Sequence, residues 1–216
     1  MFVRPCWVPQ SPDETRRILK ENPWALLVSQ GPEGPLATNL PMLVEKPEDG
    51  TTAKPDDLVL VSHLARANDH LAALRQAEGP VLAIFEGPWS YVTASWYPDR
   101  QMPSTFYYTA VHCYGRLEFQ DEPALDSSLD DLVQRMEAPH EGGWRTDEIP
   151  RSEITRRFAG IQGFRMIVSR VEAKFKLGQD EPLRDALAVA DVLATHTSPQ
   201  DLALARMIRE QNRGRA

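Results

Sequence analysis

The residues best suited to chemistry in this chain lie in the segment SHLARAN, from Ser62 to Asn68. A predicted buried strand over 58–62 delivers His63, Arg66 and Asn68 to the start of a predicted helix. The amide groups of a helix N-terminus and an arginine guanidinium together suit a phosphate group. The alternative is a polar connection in which Asn68 only caps the helix, because asparagine is a common capping residue. The sequence contains no glycine-rich phosphate loop of the nucleoside-triphosphatase or dinucleotide-binding kind.

A second candidate region is the aromatic segment WSYVTASWYPDRQMPSTFYYTAVHCYG, from Trp89 to Gly115. Its residue types predict a strand over 89–96, a polar loop over 97–103 and a long strand over 105–119. Alternation places Phe106 on one face of the long strand and Thr105 on the other. Neither face is plainly polar, so each is expected to meet a barrel interior, a dimer partner or a flat ligand.

The histidines and cysteines do not predict a metal site. His112 and Cys113 are neighbours on a predicted strand, so their side chains point to opposite faces. His63 and His70 lack a third ligand at zinc spacing. No pairing of a nucleophile with a base can be assigned from spacing, so no catalytic residue is predicted.

Composition indicates a protein of the cytoplasm. The two cysteines are far apart in the sequence and do not form a disulfide framework. No hydrophobic run approaches the length of a membrane span, and the first ten residues do not have the pattern of a signal peptide. The net charge of −7 argues against broad affinity for nucleic acid or a membrane surface.

The basic residues near the C-terminus form one cluster, Arg206, Arg209, Arg213 and Arg215. A contact with DNA is one interpretation. The other is that cations stabilise the end of a helix through its dipole. The sequence shows no helix-turn-helix.

The hydrophobic pattern predicts a mainly β fold with peripheral helices, in the form of a closed or nearly closed antiparallel barrel. Strands are predicted over 24–29, 35–44, 58–62, 81–85, 89–96, 105–119 and 161–175. A surface loop is predicted over 45–57. A first helix, capped by Ser11 or Asp13, carries Ile18 and Leu19, and further helices are predicted after Asn68 and over 122–136, 151–159, 182–196 and 199–211. The expected organisation is a barrel domain over 1–180 with a helical extension over 181–216.

Several separated motifs resemble one family in the same order along the chain. They are the opening MFVRP, SHLARAN, GPWSYVTASWY, TFYYTAVHCYG, EAPHE and GIQGFRMIVSRVEAKFKLGQD. Together they are similar to the PaiB-type FMN-binding proteins, usually named FMN-binding negative transcriptional regulators. The resemblance runs from Met1 to about Ala194.

The resemblance implies a homodimeric split β-barrel, like the pyridoxamine-phosphate oxidase group, with FMN between the subunits. It assigns the phosphate to His63, Arg66 and Asn68. The backbone of Thr38, Asn39 and Leu40 would lie along the flavin ring. The ring would be lined, from the other subunit, by Trp96, Tyr97, Thr105 and Phe106, and closed in by Lys176 and Gln179.

The sequence departs from the family pattern at a few positions. The usual TWNY is TFYY here, so Phe106 and Tyr107 replace a tryptophan and an asparagine, and Ser104 is an extra residue. The usual KLSQN is KLGQD, so Gly178 and Asp180 replace a serine and an asparagine. These changes alter the polar groups available to a flavin.

Two functions of different classes are consistent with this resemblance. One is a flavin-binding regulatory protein or sensor, in which FMN or its redox state changes partner interactions. The other is a flavin-dependent oxidoreductase acting on a small molecule, in which FMN carries out the hydride chemistry. A third alternative is haem binding on the same fold, with His112 or His63 as the axial ligand.

Overall fold

The computed structural model describes residues 1–46 and 58–215, and in them seven strands and six α-helices are formed. The strands are β1 (Trp24–Gly31), β2 (Gly34–Pro41), β3 (Leu43–Val44), β4 (Val59–Ala65), β5 (Val81–Val92), β6 (Thr105–Phe119) and β7 (Ile161–Lys176). The helices are α1 (Pro12–Glu21), α2 (Asp69–Gln76), α3 (Glu122–Glu137), α4 (Arg151–Phe158), α5 (Leu183–Leu193) and α6 (Pro199–Gln211). The loop predicted over 45–57 lies outside the described residues from 47 onward.

The strands form one sheet in the order β2-β1-β5-β6-β7-β4-β3. The pairs β1–β2, β1–β5, β3–β4 and β4–β7 are antiparallel. The predicted antiparallel sheet with accompanying helices is therefore confirmed. The hydrogen-bonded order ends at β2 and β3, whereas a fully closed barrel would have no edge strands.

Two strands are longer than the sequence predicted. β4 continues through His63 and Leu64 to Ala65, because this segment pairs with 161–163 of β7. β5 passes without a break through Gly87 and Pro88, where we expected two separate strands. A side chain at residue 87 would place its Cβ 2.2 Å from the Thr109 hydroxyl, so the glycine permits close packing inside the continuous strand. The second predicted strand was wrong beyond Val92, since 94–96 form a short 3-10 helix.

The chain divides into two compact units, through both of which β5, β6 and β7 run. The first unit comprises 1–22, 85–112 and 172–216. Its core contains the fully buried side chains of Phe85, Tyr107, Phe175, Leu177 and Leu193. Within it, α1 is capped by Ser11 and is joined to α6 by an ion pair between Arg17 and Glu210 at 2.9 Å.

The second unit comprises 23–84 and 113–171. Its core includes the buried side chains of Leu27, Met42, Leu60, Phe164 and Met166. Helix α2 packs against the β1–β2 hairpin of this unit.

Alternation along β6 separates a buried face from a half-exposed one. Tyr107, Thr109, Val111 and Cys113 are buried, and the residues between them are half-buried. One face of β6 is therefore covered within the chain, and the predicted contact of the other face with a partner or a ligand stays a prediction. Among the described residues, no helix has the length and apolar character required to cross a membrane.

Candidate functional site

The turn between β4 and α2 is held to the β2 strand by a capping residue. The side-chain oxygen of Asn68 accepts a hydrogen bond from the His70 amide at 2.9 Å, which caps α2. Its side-chain nitrogen donates to the Thr38 hydroxyl at 3.3 Å. Asn68 is therefore a helix cap, as the simpler interpretation held. It also contacts Thr38 of β2, which the resemblance likewise assigned to the flavin site.

Two arginines converge beside this turn. Arg66 Nη1 and Arg75 Nη2 each lie 3.0 Å from the same side-chain oxygen of Gln162, so the two nitrogens are at most about 6 Å apart. Gln162 is buried, and its own nitrogen donates to the Gln120 carbonyl at 3.0 Å. Within residues 1–46 and 58–215, no carboxylate lies within ion-pair distance of either guanidinium. Two exposed guanidinium groups that share a neutral acceptor and have no carboxylate partner in these ranges are a candidate site for an anion.

Arg75 and Gln162 were not predicted from the sequence. Arg75 occupies the last turn of α2, where a cation is ordinary because of the helix dipole. Gln162 lies on β7, about a hundred residues from Arg66. No spacing rule connects them, so only the β4–β7 pairing reveals the group.

His63 contributes no charge to this candidate anion site near neutral pH. It is half-buried on β4, opposite Gly163 of β7. Burial lowers the pKa of its imidazole below the usual value, so the ring is neutral at pH 7. In the described part of the chain, no hydrogen bond to the ring is formed. A neutral His63 can still donate one hydrogen bond to a ligand.

The hairpin residues predicted to lie along the flavin differ in their exposure. Thr38 is half-buried, Asn39 is exposed and Leu40 is buried, at 6% exposure. Thr38 also makes a hydrogen bond of 2.8 Å with His70 Nδ1, and His70 Nε2 lies 2.9 Å from the Ser29 hydroxyl. His70 is buried and was not predicted to belong to the site.

The other six predicted site residues belong to the first unit. Lys176 donates to the Thr105 hydroxyl at 2.5 Å, so these two are brought together. Phe106 is half-exposed, and its ring lies 5.4 Å from that of Tyr91. Trp96 contacts the ring of His196 edge-on at 6.0 Å. The predicted set is therefore distributed over both units, with six residues in each.

Tyr97 and Gln179 have mainly internal contacts. Tyr97 is 2% exposed, and burial together with the nearby Glu181 raises the pKa of its phenol. Gln179 accepts from the Leu177 amide at 2.7 Å and donates to the Phe175 carbonyl at 2.6 Å. Both ends of the Gln179 amide therefore shape the loop that follows β7.

The departures from the family pattern also make internal contacts. Tyr107 is fully buried and donates a short hydrogen bond to Glu181, and burial followed by this bond raises the pKa of its phenol. Gly178 has a φ of +80°, and a Cβ added there would lie 2.6 Å from the Tyr107 hydroxyl oxygen. Asp180 accepts from Trp7 Nε1 and from Arg4 Nη1, each at 3.1 Å.

Two of the four C-terminal arginines have partners within the chain. Arg209 pairs with Asp191 at 2.8 Å. Arg215 donates to the carbonyls of Gly178 and Glu181 at 3.1 and 2.6 Å. Arg206 and Arg213 are exposed. The surface available for the predicted DNA contact is thus smaller than the sequence suggested.

The residues considered for metal or haem binding are dispersed. No group of three or more histidine, cysteine or acidic side chains in the described ranges has the arrangement of a metal site. Burial and the amino group of Met1 lower the pKa of His112, although Glu172 opposes the shift.

Comparison with known proteins identifies the relatives of this fold. Residues 1–170 match a family model described as "Putative FMN-binding domain". The "Protease synthase and sporulation protein PAI 2" of Bacillus subtilis (strain 168) is 25% identical over 211 residues, which cover 98% of each chain.

Two solved structures share the fold. The FAD and heme binding protein of Mycobacterium smegmatis aligns with a TM-score of 0.56 and 20% identity, over 90% of this chain and 78% of the other. The flavocytochrome Anf3 of Azotobacter vinelandii aligns with a TM-score of 0.57 and 15% identity, over 79% and 69% of the two chains.

Proposed function

The chain belongs to the FMN-binding domain family whose model covers residues 1–170, and from that premise we propose that it is an FMN-binding regulatory protein whose cofactor is anchored by Arg66 and Arg75. FMN is the cofactor of this family. When bound, it supplies the redox chemistry, while the protein supplies binding and orientation.

The guanidinium pair carries this proposal. A phosphate monoester bears between one and two negative charges at pH 7 and offers three acceptor oxygens. Arg66 and Arg75 each donate one N–H to the same Gln162 oxygen, and this neutral residue holds both side chains without cancelling their charge. Asn68 and the neutral His63 add polar groups at the same turn. The residues present therefore fit the phosphate end of FMN.

The phosphate assignment is tested by titrating the protein with FMN and with riboflavin, which lacks the phosphate. Arg66→Ala and Arg75→Ala are each expected to weaken FMN binding about 10- to 100-fold, because a hydrogen bond to a charged group contributes about 1.5–3 kcal/mol. Riboflavin binding should be unchanged. Arg206→Ala, at an exposed position of α6, is the matched control. Unchanged FMN affinity, or an equal loss for riboflavin, would contradict the assignment.

The ring end of the cofactor is proposed to be completed by a second copy of the chain. In this proposal the fold is a homodimeric split barrel, and Trp96, Thr105, Phe106 and Lys176 of the partner copy approach the flavin. The exposed aromatic rings of Trp89, Tyr91 and Phe106 support an apolar contact on this unit. Light scattering is expected to give twice the chain mass of 24.3 kDa; a monomer at micromolar concentration would contradict it.

The regulatory role is supported by the name of the Bacillus subtilis relative, a sporulation protein. We propose that occupancy or redox state of FMN is the signal that changes partner binding. If Arg206 and Arg213 contact DNA, affinity should fall steeply with salt and respond to FMN. Steady turnover of a reduced nicotinamide with oxygen by the FMN-loaded protein would instead favour the oxidoreductase function.

A further inference from the structure

A buried imidazole connects three elements beneath the proposed FMN site. His70, on the first turn of α2, is 3% exposed. Its Nε2 lies 2.9 Å from the Ser29 hydroxyl of β1, and its Nδ1 lies 2.8 Å from the Thr38 hydroxyl of β2. Burial lowers the pKa of the ring, so it is neutral at pH 7 and carries one proton, on one of the two nitrogens.

The Ser29 hydroxyl decides which nitrogen carries that proton. Ser29 is 7% exposed, and among the described residues its hydroxyl has one partner, His70 Nε2. If Nε2 were protonated, the hydroxyl hydrogen of Ser29 would be buried without an acceptor, which is unfavourable. The balanced arrangement has Ser29 donating to a bare Nε2. The ring proton is then on Nδ1 and is donated to Thr38.

This tautomer determines what Thr38 can offer a ligand. The Thr38 oxygen accepts one hydrogen bond from His70 Nδ1 and another from the Asn68 side chain. A hydroxyl oxygen accepts about two hydrogen bonds, so both acceptor positions are filled. The hydroxyl hydrogen of Thr38 remains, and Thr38 is half-buried rather than enclosed.

We propose that His70 is a positioning residue that holds Thr38 as a hydrogen-bond donor toward an oxygen or nitrogen acceptor of the bound ligand. The identity of that ligand rests on the proposed function, in which it is FMN. The acceptor belongs either to the phosphate or to the ring and its ribityl chain. Both positions would offer Thr38 an acceptor atom, and titrations with FMN and with riboflavin, which lacks the phosphate, distinguish them.

The tautomer is tested on the chain alone by NMR of protein labelled with nitrogen-15 in its histidine rings, with His70→Gln identifying the resonance. We expect a protonated Nδ1 and a bare Nε2 at pH 7.5. A protonated Nε2 would overturn the proposal. This measurement does not depend on FMN binding.

The donor is tested by FMN and riboflavin titrations of variants. Thr38→Val removes the hydroxyl and is expected to weaken FMN binding about 3- to 10-fold. An equal loss for riboflavin would place the acceptor on the ring or ribityl chain, and a loss confined to FMN would place it on the phosphate. Both results support the donor, whereas an unchanged affinity for both ligands would refute it.

The role of His70 is tested by two amide replacements. His70→Asn keeps a donor near the Nδ1 position and should bind FMN nearly as the wild type does. His70→Gln loses that donor, so it should match Thr38→Val, and the double variant should be no weaker than either single one. Additive losses would overturn the proposal. If the wild type failed to bind FMN, the proposed function and this ligand would both be refuted, while the NMR result would still decide the tautomer.

Discussion

Gly178 and Tyr107 are predicted to be coupled, although they lie 71 positions apart. Gly178 has a left-handed φ of +80°. A Cβ at this position would lie 2.6 Å from the Tyr107 hydroxyl oxygen and 2.7 Å from the Ala186 Cβ. Both distances are too short for unstrained contacts. At both positions the chain departs from the pattern of the family it resembles, so Tyr107 occupies space that a side chain at 178 would otherwise need.

Gly178→Ala should destabilise the fold in two ways, through its backbone conformation and through its packing. A non-glycine residue in the left-handed region costs about 1–2 kcal/mol. Insertion of a methyl group into close-packed surroundings costs about 1–3 kcal/mol more. We therefore expect Gly178→Ala to lower the free energy of unfolding by about 2–5 kcal/mol, with a fall in Tm of about 2–4 °C for each kcal/mol.

Gly142→Ala is the matched control for the backbone part. Gly142 has a φ of +69°, and an added Cβ there meets no atom within 4 Å. Urea unfolding followed by tryptophan fluorescence should show a loss of only about 1–2 kcal/mol for this control. If Gly178→Ala were no more destabilising than Gly142→Ala, the packing argument would be refuted.

A double-mutant cycle with Tyr107→Phe tests the contact itself. Removal of the hydroxyl relieves the shortest contact but leaves the buried Glu181 without its donor, at a cost of about 1–3 kcal/mol. The double variant should lose about 1–2 kcal/mol less free energy of unfolding than the two single variants lose together. Additive losses would show that Tyr107 does not restrict residue 178.

Three further predictions follow from burial and charge. The free energy of unfolding should decrease as the pH falls below about 6.5, because the unfolded chain takes up protons before the buried histidines do. The decrease should be up to about 1.4 kcal/mol per pH unit for each histidine whose folded pKa is lowered. Urea titrations at pH 7.5, 6.5 and 5.5 measure this dependence, and a higher free energy of unfolding at low pH would contradict it. The histidines concerned are His63, His70 and His112. Burial raises the pKa of Cys113 to about 12, whereas Cys6 is exposed, so a thiol reagent should modify one cysteine in the folded protein and two after denaturation. Asp180→Asn should lower the free energy of unfolding by less than about 1 kcal/mol, because the ion pair with Arg4 is partly exposed. Asp180→Ala should lower it further, because Trp7 Nε1 then also loses its acceptor. Equal losses for the two variants in urea unfolding would refute this difference.

Local signals in the sequence were sufficient to predict most of the elements. The alternation after Thr105 predicted β6 with its correct bounds, and Asn68 predicted the start of α2. The end of β4 was missed because its last residues form a strand only through pairing with β7. A polar, partly charged segment has no strong strand signal of its own, and the partner strand is about a hundred residues away.

The candidate site shows the same division between local and distant information. Arg66 could be proposed because it precedes a helix start, which is a local pattern. No local pattern gave a reason to propose Arg75, Gln162 or His70. Arg75 meets Gln162 only because β7 pairs with β4 beside α2, and His70 meets its partners only because the β1–β2 hairpin packs against α2. The resemblance to a family suggested Thr38 but gave no reason for its role; the hydrogen bonds from His70 and Asn68 provide one.

The family departures alter the scaffold of the first unit rather than the proposed anion site of the second. The hydroxyl of the extra residue Ser104 accepts a hydrogen bond from the Ala94 amide at 2.9 Å. Asp180 binds Trp7, and Tyr107 binds Glu181 beside Gly178. Each polar group that the departures introduce thus has a partner within its own unit, and each can be changed without touching Arg66. Variants at Tyr107 or Asp180 should therefore change the free energy of unfolding more than the FMN phosphate affinity, and the reverse should hold for Arg66.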